Sequence, residues 1–107
     1  MPMIKIECDN KKVKKEEIIL LSEAIQKIVA EATNIEDVFV YANNSQIKIK
    51  VAPIEIFIEM SAHKINNEDN LMGEIKSRIS KWKKKNSFTH LINLSLIPMK
   101  WKIEIGI

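Results

Sequence analysis

The sequence has 107 residues and a mass of 12.4 kDa, which predicts a single domain spanning 1–107. Hydrophobic residues make up 46% of it, and its net charge is +3, from 17 Lys and Arg against 14 Asp and Glu. No apolar run approaches the ~18 residues of a membrane span or resembles a signal peptide, so we predict a cytoplasmic protein that does not contact the membrane.

The sequence has too few cysteine and histidine residues for most kinds of metal site. Cys8 is the only cysteine, so the sequence predicts no intrachain disulfide. Cys8, His63 and His90 are far apart and have no metal-ligand spacing. The sequence therefore predicts neither a metal nor another cofactor.

The first half of the chain contains strand, helix and strand signals in that order. Alternation of apolar and charged residues predicts a strand over Pro2–Cys8. Apolar residues then recur every three or four positions, which predicts an amphipathic helix over Glu16–Ala32. An apolar run predicts a second strand over Val38–Tyr41, closed by the turn residues Asn43–Ser45.

The second half repeats this order. Alternation over Gln46–Val51 is typical of a strand, and Pro53 leads the next alternating run, Ile54–Glu59. A helix is predicted from a cap at Asn66 or Asn67 to a stop at Asn86. The remaining predicted strands are Thr89–Ile97, interrupted by Pro98, and a short terminal strand, Trp101–Ile107.

The two halves align with each other. Pro2 falls on Pro53, 51 residues later, and the apolar faces of the two helices align at an offset of 50. The predicted fold class is α+β. Two βαβ half-repeats, 1–45 and 46–107, form a four-stranded mixed sheet with both helices on one face, and a short C-terminal strand follows.

Two helices cover one face of such a sheet and leave the other open. That open face is predicted to carry both charged and apolar side chains: Met3, Lys5, Glu7, Lys48, Lys50, Glu55, Phe57 and Asn93. Together with Trp101 and the apolar tail, it predicts self-association by strand addition or by packing of sheet on sheet. In the alternative, the tail completes its own sheet as a fifth strand.

Three segments carry a family resemblance: the opening Pro2–Ile4, the later strand Leu91–Ser95, and the ending Ile97–Trp101. In a chain of two βαβ units, they make the sequence similar to the tautomerase superfamily, which includes macrophage migration inhibitory factor. The ending is especially similar to a small bacterial branch known only as a domain of unknown function. The resemblance covers the whole chain in order and length.

The resemblance implies a homotrimer in which the sheets surround a central channel, with active sites at the interfaces. It also implies that Met1 is removed, so that Pro2 becomes the amino terminus and acts as a general base on a small carbonyl acid. The physical reason is that burial disfavours the protonated form of a secondary amine and lowers its pKa. Such an amine can take a proton from a carbon next to a carbonyl group and return it elsewhere.

The same resemblance implies two partners for Pro2, because an enolate needs a donor or cation at its oxygen. Lys12 falls where short bacterial tautomerases carry an arginine, and Asn93 falls on the active-site asparagine of the inhibitory factor. The sequence departs from the family at three other places. Ala32–Ile35 contains no lysine, Phe39 replaces an arginine of some relatives, and Asn43–Ser45 replaces a glycine-rich loop.

Each of these residues also has a purely structural interpretation. Pro2 could simply begin an edge strand, Asn93 could be a satisfied polar residue on a strand, and Lys12 could be part of a solvated loop. The face that Cys8 shares with Ile4 and Ile6 favours a small buried hydrophobe over a nucleophile. The rival functional hypothesis is a non-catalytic oligomeric protein of the same fold that binds a ligand or another protein.

Nucleic-acid binding is a third hypothesis. The run Lys81–Lys85 contains Trp82 and could bind an anion, but Trp82 also continues the apolar helix face and the lysines suit a helix carboxyl terminus. The order βαββαβ also occurs in RNA-recognition domains, whose sheets carry aromatic and basic residues for stacking. The strands Ile4–Ile6 and Ile54–Phe57 lack that signature, so nucleic acid is not the predicted partner.

Overall fold

A computed structural model describes residues 1–43 and 47–107. The elements are β1 (Met3–Cys8), α1 (Lys15–Thr33), β2 (Phe39–Asn43), β3 (Ile54–Ser61), a single 3₁₀ turn (Ala62–Lys64), α2 (Glu68–Lys85) and β4 (Ile92–Met99). In this part of the chain no helix has the length and apolar character needed to cross a membrane.

The four strands form one mixed sheet in the order β2-β1-β3-β4. β1 pairs in parallel with β2, β3 pairs in parallel with β4, and the two central strands β1 and β3 are antiparallel. Each parallel pair is joined by its own helix, so the two βαβ units meet at the centre of the sheet. The predicted fold class, α+β with a four-stranded mixed sheet and two helices, is confirmed.

Alternation along the central strands builds the core. Ile4 and Ile6 of β1 and every second residue of β3 from Ile54 to Met60 are fully buried. The isoleucines among them pack with the inner faces of α1 and α2, which contribute Leu21, Ile25, Val29, Ile75 and Ile79. The intervening residues of β1 and β3 point to the opposite, open face.

The helix ends follow the local sequence closely. The side chain of Asn67 caps α2 by accepting a hydrogen bond from the Asn70 amide at 2.9 Å. At the start of α1, the carboxylate of Glu17 accepts from the Lys14 amide at 2.9 Å. Asn34 ends α1 with a positive φ of 56°, a conformation that asparagine tolerates.

The structure differs from the predicted strands in detail. β4 runs through Pro98 to Met99 because it lies at the sheet edge, where a residue without an amide proton costs no ladder bond. Ile47–Val51 is not a strand, and Ile47 and Ile49 are 86% and 98% exposed. The rest of the predicted turn and strand start, Asn44–Gln46, lies outside the described residues.

The tail after β4 does not form the fifth strand that was the alternative to self-association. Within the described part of the single chain, Trp101–Ile107 pairs with no strand of the sheet. The indole of Trp101 donates a hydrogen bond to the Ser61 hydroxyl at 3.0 Å and holds the start of the tail against the end of β3. Beyond it, the side chains of Ile105 and Ile107 are exposed to solvent.

Candidate active site

Pro2 lies at the start of β1, one of the two central strands, and its side chain is almost completely buried. Its carbonyl oxygen accepts a hydrogen bond from the amide of Phe39 at 3.1 Å, which fixes it against β2. Continuing the register of β1 and β3 by one residue places it beside Met60, which is also buried. With Met1 attached, the Pro2 nitrogen is a tertiary amide and is not basic.

The open face of the sheet next to Pro2 combines apolar and ionic groups. Met3 lies between Phe39 and Glu59 in register. Lys5, two residues further along β1, forms an ion pair with Glu59 at 3.3 Å. Lys5 was predicted to lie on this face, whereas Glu59 was not, although the alternation after Phe57 could have revealed it.

Asn93 is distant from Pro2 within the chain. It pairs with Glu55 near the start of β4, whereas the β4 position in line with Met60 is Pro98, five residues further along. At about 3.3 Å per residue, the two sites are separated by about 16 Å along the strand direction alone. The amide of Asn93 therefore cannot reach a substrate at Pro2 of its own chain.

Lys12 lies at the same far end of the sheet as Asn93. It is exposed in the turn after β1, and its amide donates to the Asp9 carbonyl at 3.0 Å. β1 separates this turn from Pro2 by six residues, about 20 Å of extended strand. The three predicted site residues are thus not brought together by one chain, and only a neighbouring copy could bring its Lys12 or Asn93 to Pro2.

The chain is similar to known proteins in its three-dimensional structure, but no match was found through its sequence. No family model matches the sequence, and no curated protein matches it. In contrast, 43 chains of solved structures match its fold.

Three of them illustrate the range. A macrophage migration inhibitory factor-like protein from Entamoeba histolytica has 16% identity and a TM-score of 0.64, with 96% of this chain and 95% of that chain covered. A domain of unknown function (DUF1904) from Sebaldella termitidis has 10% identity and a TM-score of 0.65, with coverage of 100% and 98%. A fused 4-OT asymmetric trimer has 11% identity and a TM-score of 0.64, with coverage of 94% and 91%.

The chain has the tautomerase fold. The resemblance to macrophage migration inhibitory factor and to a bacterial domain of unknown function is confirmed as a likeness of fold over almost the whole chain. At these identities, the likeness does not carry an activity with it.

The structure shows the surroundings of two positions at which the sequence departs from the family pattern. Phe39 lies at the edge of the sheet beside Met3 and is 44% exposed, so the surface near Pro2 is apolar at the position where the resemblance implies an arginine in some relatives. The end of α1, Ala32–Thr33, has no basic residue in its last turn. The Thr33 hydroxyl instead donates to the Val29 carbonyl at 2.7 Å.

A cavity of about 290 Å³ lies at the end of the sheet that is farther from Pro2. Cys8, Glu55 and Phe57 line it together with the segment 47–52. The thiol of Cys8 donates to the Asn43 carbonyl at 3.5 Å, and burial raises its pKa, with Lys48 acting in the opposite direction. Cys8 also packs against the core, in agreement with the interpretation as a small hydrophobe.

Glu17 and His90, which lie 73 residues apart, form a contact that no pattern in the sequence predicted. The carboxylate of Glu17 and Nε2 of His90 are 2.9 Å apart, and the imidazole ring packs edge-on against Phe88. The pKa of Glu17 is lowered, chiefly by the hydrogen bond from the Lys14 amide and further by His90. The pair connects the start of α1 to the segment that leads into β4.

Within residues 1–43 and 47–107, no cluster of His, Cys, Asp or Glu could hold a metal ion.

Proposed function

We propose that this protein is a tautomerase that catalyses keto–enol isomerisation of a small carbonyl acid, with Pro2 as the general base once Met1 has been removed. The observation that carries the proposal is the burial of Pro2 at the start of a central strand in the tautomerase fold. Burial favours the neutral form of an amine, and neutral amine is the form that accepts a proton.

The proposed reaction moves one proton. The Pro2 nitrogen takes it from the carbon next to the carbonyl group, the electrons of the C–H bond form the enolate, and the proton is then delivered to the enolate oxygen. A donor or cation near that oxygen would stabilise the enolate. We propose Lys12 and Asn93 for this role, each contributed by a neighbouring copy, because their own chain holds them at the far end of the sheet.

The self-association that this requires is supported by the surface of the single chain. The open face of the sheet carries Phe39 and Tyr41, 44% and 50% exposed, and the tail ends in exposed isoleucines. One structure with the same fold is a trimer of fused 4-OT. We propose a homotrimer in the cytoplasm, with residues 1–107 of each chain forming one domain of two half-repeats.

Intact-mass measurement and a keto–enol assay test the proposal together. Purified protein should lack the mass of Met1, and it should convert a phenylpyruvate-type substrate. Replacing Pro2 by Ala should reduce the rate at least about 100-fold, the range attributed to general acid–base catalysis. Pro53→Ala is the matched control, since Pro53 is the counterpart of Pro2 in the second half and should leave the rate unchanged. Equal rates for wild type and Pro2→Ala would reject catalysis by Pro2.

The second candidate function is a non-catalytic oligomeric protein that binds a ligand or another protein. The exposed ring of Phe39 and the absence of a basic residue in the last turn of α1 favour it, because both remove charges that would hold an acid. This candidate predicts a trimer by light scattering and no substrate turnover, either by the wild type or by Pro2→Ala.

A further inference from the structure

A groove lies between the two helices, on the side of the molecule away from the open sheet face. Its lining residues have no role in the proposed function. Five residues of α1, four of α2 and the residue that caps the end of α2, Asn86, line it: Leu20, Glu23, Ala24, Lys27, Ile28, Arg78, Lys81, Trp82, Lys85 and Asn86. The spacing in each set is i, i+3, i+4, i+7 and i+8, so each set forms one continuous stripe, the second of which ends at the cap of α2. The groove has a volume of about 500 Å³.

The floor of this α1–α2 groove is apolar. Leu20 is 43% exposed, and Ile28 and Trp82 are half-buried. The ring of Trp82 packs against Phe88, with 5.1 Å between ring centroids, which holds the indole in place from the inner side. A partner that inserts apolar side chains would therefore meet a preformed surface.

The rim of the α1–α2 groove is basic. Four of its lining residues are cations and one, Glu23, is an anion. Arg78 is engaged by Glu31 at 2.8 Å and by Glu74 at 3.6 Å. Over residues 1–43 and 47–107, the lysines of the rim form no ion pair.

The rim lysines are not explained by helix stability alone. Lys85, in the last turn of α2, complements the negative end of that helix. Lys27 lies inside α1, more than one turn from its end, where the dipole effect has fallen away. It faces the same groove as Lys81, so two like charges are held along one apolar strip.

We propose that the α1–α2 groove is a docking site for an acidic amphipathic helix of a partner protein. An apolar strip flanked by cations is complementary to a helix whose apolar stripe is flanked by Asp and Glu. The groove spans Leu20–Ile28 on one side and Arg78–Asn86 on the other, which is about 12 Å or two helical turns. A nucleic acid would use the lysines but gain nothing from the apolar floor, and its phosphates are best held by arginine, of which the sole example is already paired.

Two pairs of variants test the rim and the floor. Lys27→Glu combined with Lys81→Glu reverses the rim, and Lys76→Glu is its control, an exposed lysine of α2 that does not line the groove. Leu20→Ser removes part of the floor, and Ile19→Ser is its control, an apolar neighbour that is 49% exposed and lies outside the groove. All these side chains are exposed, so each variant should unfold at a temperature close to that of the wild type.

The probe is a fluorescein-labelled amphipathic helical peptide of about 14 residues with a leucine stripe flanked by glutamates. Fluorescence anisotropy should show binding that weakens as salt increases. The double rim reversal should weaken binding about tenfold and Leu20→Ser several-fold, whereas both controls bind as the wild type does. In NMR spectra, amide shifts should change along Leu20–Ile28 and Arg78–Asn86.

Four results would overturn the proposal. They are no binding of the acidic peptide, equal binding of the same peptide with lysines in place of glutamates, insensitivity of binding to the rim and floor variants, and tighter binding of a single-stranded RNA than of the peptide. The last result would assign the groove to nucleic acid instead.

Discussion

Truncation of two adjacent residues of β3, Ile56 and Phe57, should have different effects, because Ile56 faces the core and Phe57 faces the open side of the sheet. Ile56 is fully buried between Ile6 and Leu94 in register, whereas Phe57 is half-buried on the face that neither helix covers. Ile56→Ala removes three carbon atoms, a transfer loss of about 2.4 kcal/mol at ~0.8 kcal/mol per methylene. The cavity left between two fixed strands raises the expected cost to about 3–4 kcal/mol.

Phe57→Ala leaves the core of the single chain intact. Its main expected effect is on self-association, since the ring belongs to the surface through which we propose that copies assemble. The loss of unfolding free energy for Ile56→Ala should thus be independent of protein concentration. The loss for Phe57→Ala should depend on it, because the stability of an oligomer is linked to the concentration of its chains.

Urea unfolding followed by circular dichroism, at several protein concentrations, measures both effects. Light scattering on the folded proteins gives the assembly mass, which Phe57→Ala should reduce and Ile56→Ala should not. For a domain of this size, the loss at Ile56 corresponds to a decrease in melting temperature of roughly 15 °C or more. If Ile56→Ala costs less than about 1 kcal/mol, or both variants have the same concentration dependence, the assignment of the two faces is wrong.

Three further predictions concern local contacts. Replacing Asn67 by Ala should lower the unfolding free energy by about 1 kcal/mol in thermal melts through loss of the α2 cap, whereas Asn66→Ala should leave it unchanged. The hydrogen bond from the Lys14 amide lowers the pKa of Glu17, so this carboxylate stabilises the fold above its ordinary pKa of 4.5, and the benefit is lost as the pH falls through the lowered value. Urea titrations should therefore show a smaller loss of stability in acid for Glu17→Gln than for the wild type. Burial raises the pKa of Cys8, so alkylation by iodoacetamide near pH ~8 should be slow in the native protein and fast in urea; equal rates would contradict the burial.

Local sequence patterns predicted the secondary-structure elements well. The predicted helix Glu16–Ala32 became α1, Lys15–Thr33, and Asn67, one of the two predicted caps, begins α2. A helix is recognisable because its hydrogen bonds and its apolar stripe both lie within one segment. The internal repeat extended this to the whole chain, since two equal βαβ units restrict the topology to a few arrangements.

Alternation alone was less informative about strands. Ile47–Val51 alternates as clearly as β1, yet it remains outside the sheet. Alternation records where side chains would point, whereas a strand also needs a neighbour to accept and donate its hydrogen bonds. Conversely, Pro98 was expected to break a strand that continues past it, because its position at the edge of the sheet is a property of the assembled fold.

The sequence by itself determined the two βαβ units, the buried faces of their helices, and the place of Pro2 at the head of a strand, because each is written in residues close to one another. Only the tertiary structure decided that Asn93 and Lys12 lie about 16–20 Å from Pro2 along the strands, that Glu17 meets His90, and that the outer stripes of α1 and α2 join into one basic groove. These relations depend on strand order and register, which long-range packing sets and no local pattern records.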